Sequence, residues 1–379
     1  MIAGLEAAHI PPPPSARIGA IVQVSVFDAV NGIVPHYAFY KVAPAAAPGA
    51  SRDAAAAGAA YTALVALIPA QKPLFDAQLA ATLAQLSDDP AHPGQSVERG
   101  LAWGETVAND ILAWRATDNF NKVLPPYVPG TAPGDWQPTP PLFGPPLFRQ
   151  FAIIVPFALT SPGQFLPPGP PPLTSARYTQ DLAEVQALGS ATSGVRTADQ
   201  TQTAIFWQDD TPAAMWNRVA DQLAQANDDT TLTPNARLLA QLNIAMADAT
   251  IGIWNAKNTY NFWRPVTAIQ ATIDPTWTPL LPTPSFQEYP SAHSGVSSAA
   301  AAVLASFYGD ATSFTVTSAG LPGVQRDFTT FSSAVVQVED ARIYAGFHFR
   351  FSCIDGATLG AQVAQWVTQT LMQPLNQQN

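Results

Sequence analysis

Residues 234–258 read PNARLLAQLNIAMADATIGIWNAKN, with apolar side chains returning every three or four positions. The stretch is rich in alanine and leucine, both strong helix formers, and the spacing predicts a helix of about seven turns. Working outward, the same period recurs at 17–31, 54–68, 74–86, 97–116, 175–188 and 212–226, and again at 295–308, 324–345 and 355–372. Strand-like alternation is confined to a patch at 313–317. The expectation is an all-α fold of helical bundles.

Between the helical stretches the 37 prolines are unevenly spread, and many fall within residues 125–172. Helix cannot run through such a stretch. It also carries Tyr127, Trp136, Phe143, Phe148, Phe151, Phe157 and Phe165, too many large apolar side chains for a disordered linker. We therefore expect an N-terminal helical half (1–123), an ordered proline-rich connector and cover (124–173) and a C-terminal helical half (174–379), joined in one integrated unit.

The chain has 379 residues, 47% hydrophobic and 12% charged, enough to bury a large core. With 17 basic against 27 acidic residues the net charge is -10, so no broad basic surface is expected to bind nucleic acid or anionic lipid. Any bound anion must meet a local cluster of cations. The longest apolar runs, near 151–159 and 299–307, fall well short of the roughly 20 residues that span a bilayer. Residues 1–14 have neither a positive n-region nor a continuous apolar one. The protein is thus expected to stay where it is made, or to take an export signal from upstream. The single cysteine, Cys353, reads as a small buried apolar residue.

Of five histidines, His9, His36 and His92 sit near prolines without candidate partners, and we read them as structural or surface residues. His293 and His348 share the C-terminal region with the basic residues of interest. In the segment from Lys257 to Pro265, KNTYNFWRP, Lys257 and Arg264 are seven residues apart, which on one helix returns to about the same face. The surrounding aromatics suggest partial burial with a counter-ion rather than two solvated cations. Next, YPSAHSG at 289–295 opens an alanine-rich helix. Free N–H groups at that helix start, the Ser291 hydroxyl and the His293 imidazole together make a compact oxyanion site. Ser291 or Ser294 acting only as a helix cap accounts for a serine but leaves His293 unexplained. Finally, ARIYAGFHFR at 341–350 sets His348 six residues after Arg342, about 120° apart on an ideal helix. Joint action then needs a long arginine reaching across or a bend, for which Gly346 is the candidate.

Taken in order, K-x6-R-P, P-S-x-H and R-x5-H resemble the three-part signature of the vanadium-dependent haloperoxidases and the type 2 phosphatidic acid phosphatase superfamily. Trp254 and Phe286 look like the tryptophan and phenylalanine on the halide side of chloroperoxidase-type sites, and Phe206-Trp207-Gln208-Asp209-Asp210 resembles a segment whose aspartate orients the last motif arginine, which points to Asp210. Ala292 stands where the family usually has glycine, and Ala341 where phosphatase members often have serine. Alanine still offers its N–H.

The resemblance implies a soluble, bacterial-type haloperoxidase-like protein that takes orthovanadate as cofactor and hydrogen peroxide and halide as substrates. Lys257, Arg264, Arg342, Ser291 and the Ala292 N–H would hold the oxyanion, His348 would be the vanadium ligand, and His293 would handle protons. A soluble acid phosphatase would use the same residues on a phosphate ester, without vanadate, through a phosphohistidine at His348. A catalytically silent anion- or phospho-ligand-binding protein is the reading from a different class, and the presence of both histidines argues against it.

Overall fold

The computed structural model describes residues 1–89, 94–208, 210–226 and 231–375, so His92 and Asp209 lie outside the described residues. The helices are α1 (Ile2–Ala7), α2 (Pro12–Asn31), α3 (Arg52–Leu67), α4 (Lys72–Leu83), α5 (Ser96–Arg115), α6 (Ala176–Leu188), α7 (Ala198–Phe206), α8 (Pro212–Ala226), α9 (Leu232–Tyr260), α10 (Pro265–Thr272), α11 (Ala292–Tyr308), α12 (Phe331–Tyr344) and α13 (Arg350–Thr370). The protein is mostly helical, as the periodicity predicts. Helix α2 packs on α3 and α5 and also on α9, while α9 and α13 flank α11.

The prolines at 12–14 do not delay α2. They occupy its first turn, where N–H groups have no helical acceptor and the fixed φ of proline suits the helix. The expected helix at 324–345 is shorter than its periodicity suggested. Gln325–Phe328 forms strand β2, paired antiparallel with β1 (Phe314–Thr317) in the register Phe314↔Phe328, and α12 starts only at Phe331. The pairing wins because Phe328 stacks on Phe314 at 5.5 Å and the Thr315 hydroxyl donates to Asp327 at 2.6 Å. Helices α1, α7 and α10 were too short to register as periodic segments.

The proline-rich stretch is tied down by backbone hydrogen bonds. The Asp248 carboxylate, on α9, accepts from the N–H groups of Phe157, Ala158 and Leu159 at 2.6–2.9 Å. Trp136 is fully buried, and its N–H donates to the Asn261 carbonyl at 2.7 Å. Phe151 and Phe157 are buried as expected, but Phe143 is 63% exposed. His9 and His36 are exposed, and Cys353 is buried. Among the described residues no helix is long and apolar enough to cross a membrane.

Helices α11 and α13 meet through glycine. A Cβ on Gly360 would lie 2.0 Å from the Gly295 carbonyl oxygen, and one on Gly356 would lie 2.5 Å from that of Ser291. Only bare backbone permits this approach. It brings the N-terminus of α11 against the first turns of α13, where the Ser291 N–H donates to the Ser352 carbonyl at 3.0 Å.

Candidate functional site

Lys257 and Arg264 do converge, but not along one helix. Helix α9 ends at Tyr260, Asn261 takes a left-handed φ of 46°, and Arg264 is the extended N-cap of α10. Pro265 enforces this, because the residue before proline is pushed out of helical conformation. Both cations then reach one segment of chain. The Lys257 Nζ donates to the carbonyls of Gln287 and Glu288 at 2.8 Å each, and the Arg264 Nε donates to the Phe286 carbonyl at 2.8 Å.

Ser291 is the N-cap of α11, and its Oγ accepts from the Ser294 N–H at 3.4 Å and lies 2.9 Å from the Ser294 Oγ. The capping role is therefore filled, yet the first N–H groups of the helix, starting at Ala292, still have no intrahelical acceptor. His293 follows with its Nε2 buried and without a hydrogen-bond partner among the described residues. It lines both a cleft of about 540 Å³, shared with Gln208, His9 and Asp210, and a small apolar cavity of about 70 Å³ walled by Trp254, Phe286 and Phe148.

Arg342 lies in the last turn of α12, and the chain bends after it at Gly346, whose φ is +83°. A Cβ there would meet the Gly189 carbonyl oxygen at 2.7 Å, so both the turn and the close approach call for glycine. The bend delivers His348 to within 3.2 Å of Arg264, Nε2 to Nη1. On the other side of the ring, Nδ1 lies 2.8 Å from the Glu288 Oε1.

Asp210 does not orient Arg342. Its carboxylate pairs with Arg218 on α8 and accepts from the Ala319 N–H at 3.0 Å. Gln208 holds Arg342 instead, with its Oε1 accepting from Nη2 at 2.8 Å. Sequence reasoning quoted Gln208 only as a neighbour of Asp210, and a neutral side chain 134 positions from Arg342 gave little signal. Glu288 was missed as well, although a carboxylate three residues before Ser291 in an otherwise uncharged stretch was a usable sign.

Lys257, Arg264, Arg342 and Glu288 are all essentially excluded from solvent. Burial is the main cause that pushes Lys257 well below its ordinary pKa, with Arg264 adding repulsion. Burial likewise brings Arg264 down to about 9 and Arg342 to about 10. Both imidazoles are driven well down, first by burial, then by Arg342 for His293 and by Arg264 for His348. Glu288 is raised to about 7 by burial, with Arg264 and Lys257 opposing. Three cations thus face one carboxylate, and the Arg264 Nη2, the Arg342 Nε and Nη1 and the His293 Nε2 have no acceptor or donor among the described residues. A donor-rich, cation-rich cradle of this kind suits a compact oxyanion. Trp254 and Phe286 stand beside it with ring centroids 5.3 Å apart, and the Lys257 Nζ lies 5.3 Å from the Phe286 ring.

Residues 237–377 match the family described as the VCPO second helical-bundle domain. Along 99% of its length the chain superposes on 95% of a bacterial vanadium-dependent iodoperoxidase, with TM-score 0.86 and 27% identity. It also covers 93% of the holo-type and 95% of the apo-type structure of a bacterial vanadium-dependent chloroperoxidase, each at TM-score 0.76, 17% identity and 95% of this chain. No curated protein matches the chain by sequence. The family match spans the segments that carry Lys257 through His348, and from end to end the chain is similar in fold to bacterial vanadium-dependent haloperoxidases.

Proposed function

We propose that the chain is a vanadate-dependent haloperoxidase that uses hydrogen peroxide to oxidise halide to hypohalous acid. The observation that carries the reading is the convergence of buried Lys257, Arg264 and Arg342 on one pocket with donors left unmatched by protein. A fold shared with an iodoperoxidase supports it.

Orthovanadate fits that donor set. Lys257, Arg264, Arg342, the Ser291 hydroxyl and the Ala292 N–H would compensate its charge, and His348 would offer the ligand nitrogen. When bound, it supplies Lewis-acid activation of peroxide for a two-electron oxidation. The balance is H2O2 + X⁻ + H⁺ → HOX + H2O, so one proton must be delivered for each turnover. His293 is suited to this traffic: it is neutral in the buried site, and its Nε2 is uncommitted between the cleft and the apolar cavity. Trp254, Phe286 and Phe148 exclude water from the side on which a weakly hydrated halide would approach.

The same cradle also suits phosphate, but the aromatic cavity beside His293 has few polar groups for an ester and favours the halide reaction. The test is to load purified protein with orthovanadate and follow peroxide-dependent oxidation of iodide and bromide, alongside phosphate-ester hydrolysis without vanadate. Vanadate-dependent halide oxidation is the expected result; ester hydrolysis alone would overturn the assignment.

A further inference from the structure

One carboxylate, Glu288, reaches the oxyanion pocket from behind His348, and it has no place in the functional reading above. Two short contacts on the ring set the arrangement of the imidazole protons, with the Ser352 Oγ a longer 3.4 Å from Nδ1. Guanidinium nitrogens only donate, so the His348 Nε2, 3.2 Å from the Arg264 Nη1, must be the acceptor. The neutral ring then carries its proton on Nδ1, which lies 2.8 Å from the Glu288 Oε1. That oxygen also accepts the Phe349 N–H at 3.0 Å, which orients the carboxylate from the N-terminal end of α13. Glu288 is itself fixed from its own backbone, since its carbonyl accepts from the Lys257 Nζ at 2.8 Å. Ring, carboxylate and lysine are all essentially excluded from solvent, so no water competes for these bonds.

We propose that Glu288 is a positioning residue that holds His348 in the Nδ1–H form, so that the Nε2 lone pair faces the oxyanion between Arg264 and Arg342. The proposal rests on the haloperoxidase reading for the identity of the anion, but not for the state of the ring. A bond of this kind behind a metal-ligating histidine fixes the tautomer and ring orientation, and its loss typically costs about 10–100-fold in affinity. The carboxylate also offsets part of the charge of the cations without occupying the anion's place.

The experiment has two readouts. Histidine-selective 15N labelling is practical in a chain with five histidines, and His348→Ala identifies the His348 signals. In the wild type without vanadate, His348 should show a protonated Nδ1 and an unprotonated Nε2. In Glu288→Ala that preference should be lost, and the vanadate Kd, read from thermal shifts, should rise about 10–100-fold. Glu288→Gln retains an accepting Oε1, so it should restore the tautomer and most of the affinity, with the Nδ1 proton resonance moved upfield as the charged acceptor is lost. A wild-type His348 protonated on Nε2 would overturn the proposal, as would an alanine variant that keeps both tautomer and affinity. Should Glu288→Ala fail to fold, an unchanged Nδ1 proton in Glu288→Gln would overturn it too. Wild-type protein that shows the Nδ1–H form but binds no vanadate would support the ring assignment and refute the haloperoxidase reading, which separates the two.

Discussion

Among the described residues Arg342 has one guanidinium nitrogen engaged by a side chain, the Nη2 on Gln208, while Nε and Nη1 are buried without acceptors. A charged hydrogen bond contributes about 1.5–3 kcal/mol. Arg342→Ala should therefore weaken vanadate or phosphate binding by roughly ten- to hundredfold, visible as a reduced thermal shift at fixed anion concentration. The two histidines should separate in the same assay. His348→Ala loses the ligand nitrogen and should abolish turnover together with tight vanadate retention. His293→Ala should keep the anion and lose about 10²–10⁴-fold in turnover, the usual contribution of proton transfer. Retention of anion and activity in His348→Ala would require the roles to be reassigned. The depressed pKa values of Lys257 and His293 make a further prediction. An arriving anion favours the charged forms of Lys257 and His293, whereas His348 stays neutral to offer its Nε2 lone pair, so binding near neutral pH should take up protons at the first two. Calorimetry in buffers of different ionisation enthalpy measures that number, and proton release would contradict the electrostatic account.

At the scale of elements, the site depends on where helices stop. Asn261 ends α9 in a left-handed turn so that Arg264 can restart the chain at α10, and Gly346 ends α12 so that His348 can turn inward. Gly346→Ala is the sharper test, since it adds both a strained φ and a Cβ at 2.7 Å from the Gly189 carbonyl oxygen. It should destabilise the fold by about 1–3 kcal/mol and weaken anion binding beyond that loss by displacing His348. Denaturant unfolding and vanadate titration report the two effects separately. An alanine variant of wild-type stability would mean that the turn relaxes without strain.

Across the whole molecule, the proline-rich stretch is anchored to α9 by Asp248, a buried carboxylate held at about 6 because burial outweighs its three backbone hydrogen bonds. A carboxyl raised in the folded state adds stability that is present at acid pH and is lost as pH rises through the folded pKa. From an ordinary value of 3.8 to about 6, that difference amounts to about 3 kcal/mol. Asp248→Asn cannot accept all three N–H groups and should be destabilised throughout. Its deficit against wild type should be greatest near pH 4 and should shrink by up to about 3 kcal/mol by pH 7. A deficit that instead grows with pH would show that the hydrogen bonds, not burial, dominate at this carboxylate.

Helical class, the long central helix and the three clusters of polar residues were legible in the chain because each is local: a period of 3.6, a serine before an alanine run, a proline after an arginine. Gly346 was also readable as the candidate bend between Arg342 and His348, since that spacing on a helix leaves either a bend or a long arginine reaching across. The partners of the motif residues were not. Gln208 lies 134 positions from Arg342 and Glu288 lies 60 from His348, and neither distance leaves a mark on local spacing. Asp210 was the natural electrostatic choice for Arg342, but it is taken up by Arg218 and the Ala319 N–H. Strand β2 was read as helix because its pairing with β1 is settled by Phe314 across the turn. Local propensity and spacing set which elements form, whereas burial, which decides which charges must find partners, exists only once α9, α11 and α13 have closed around the site.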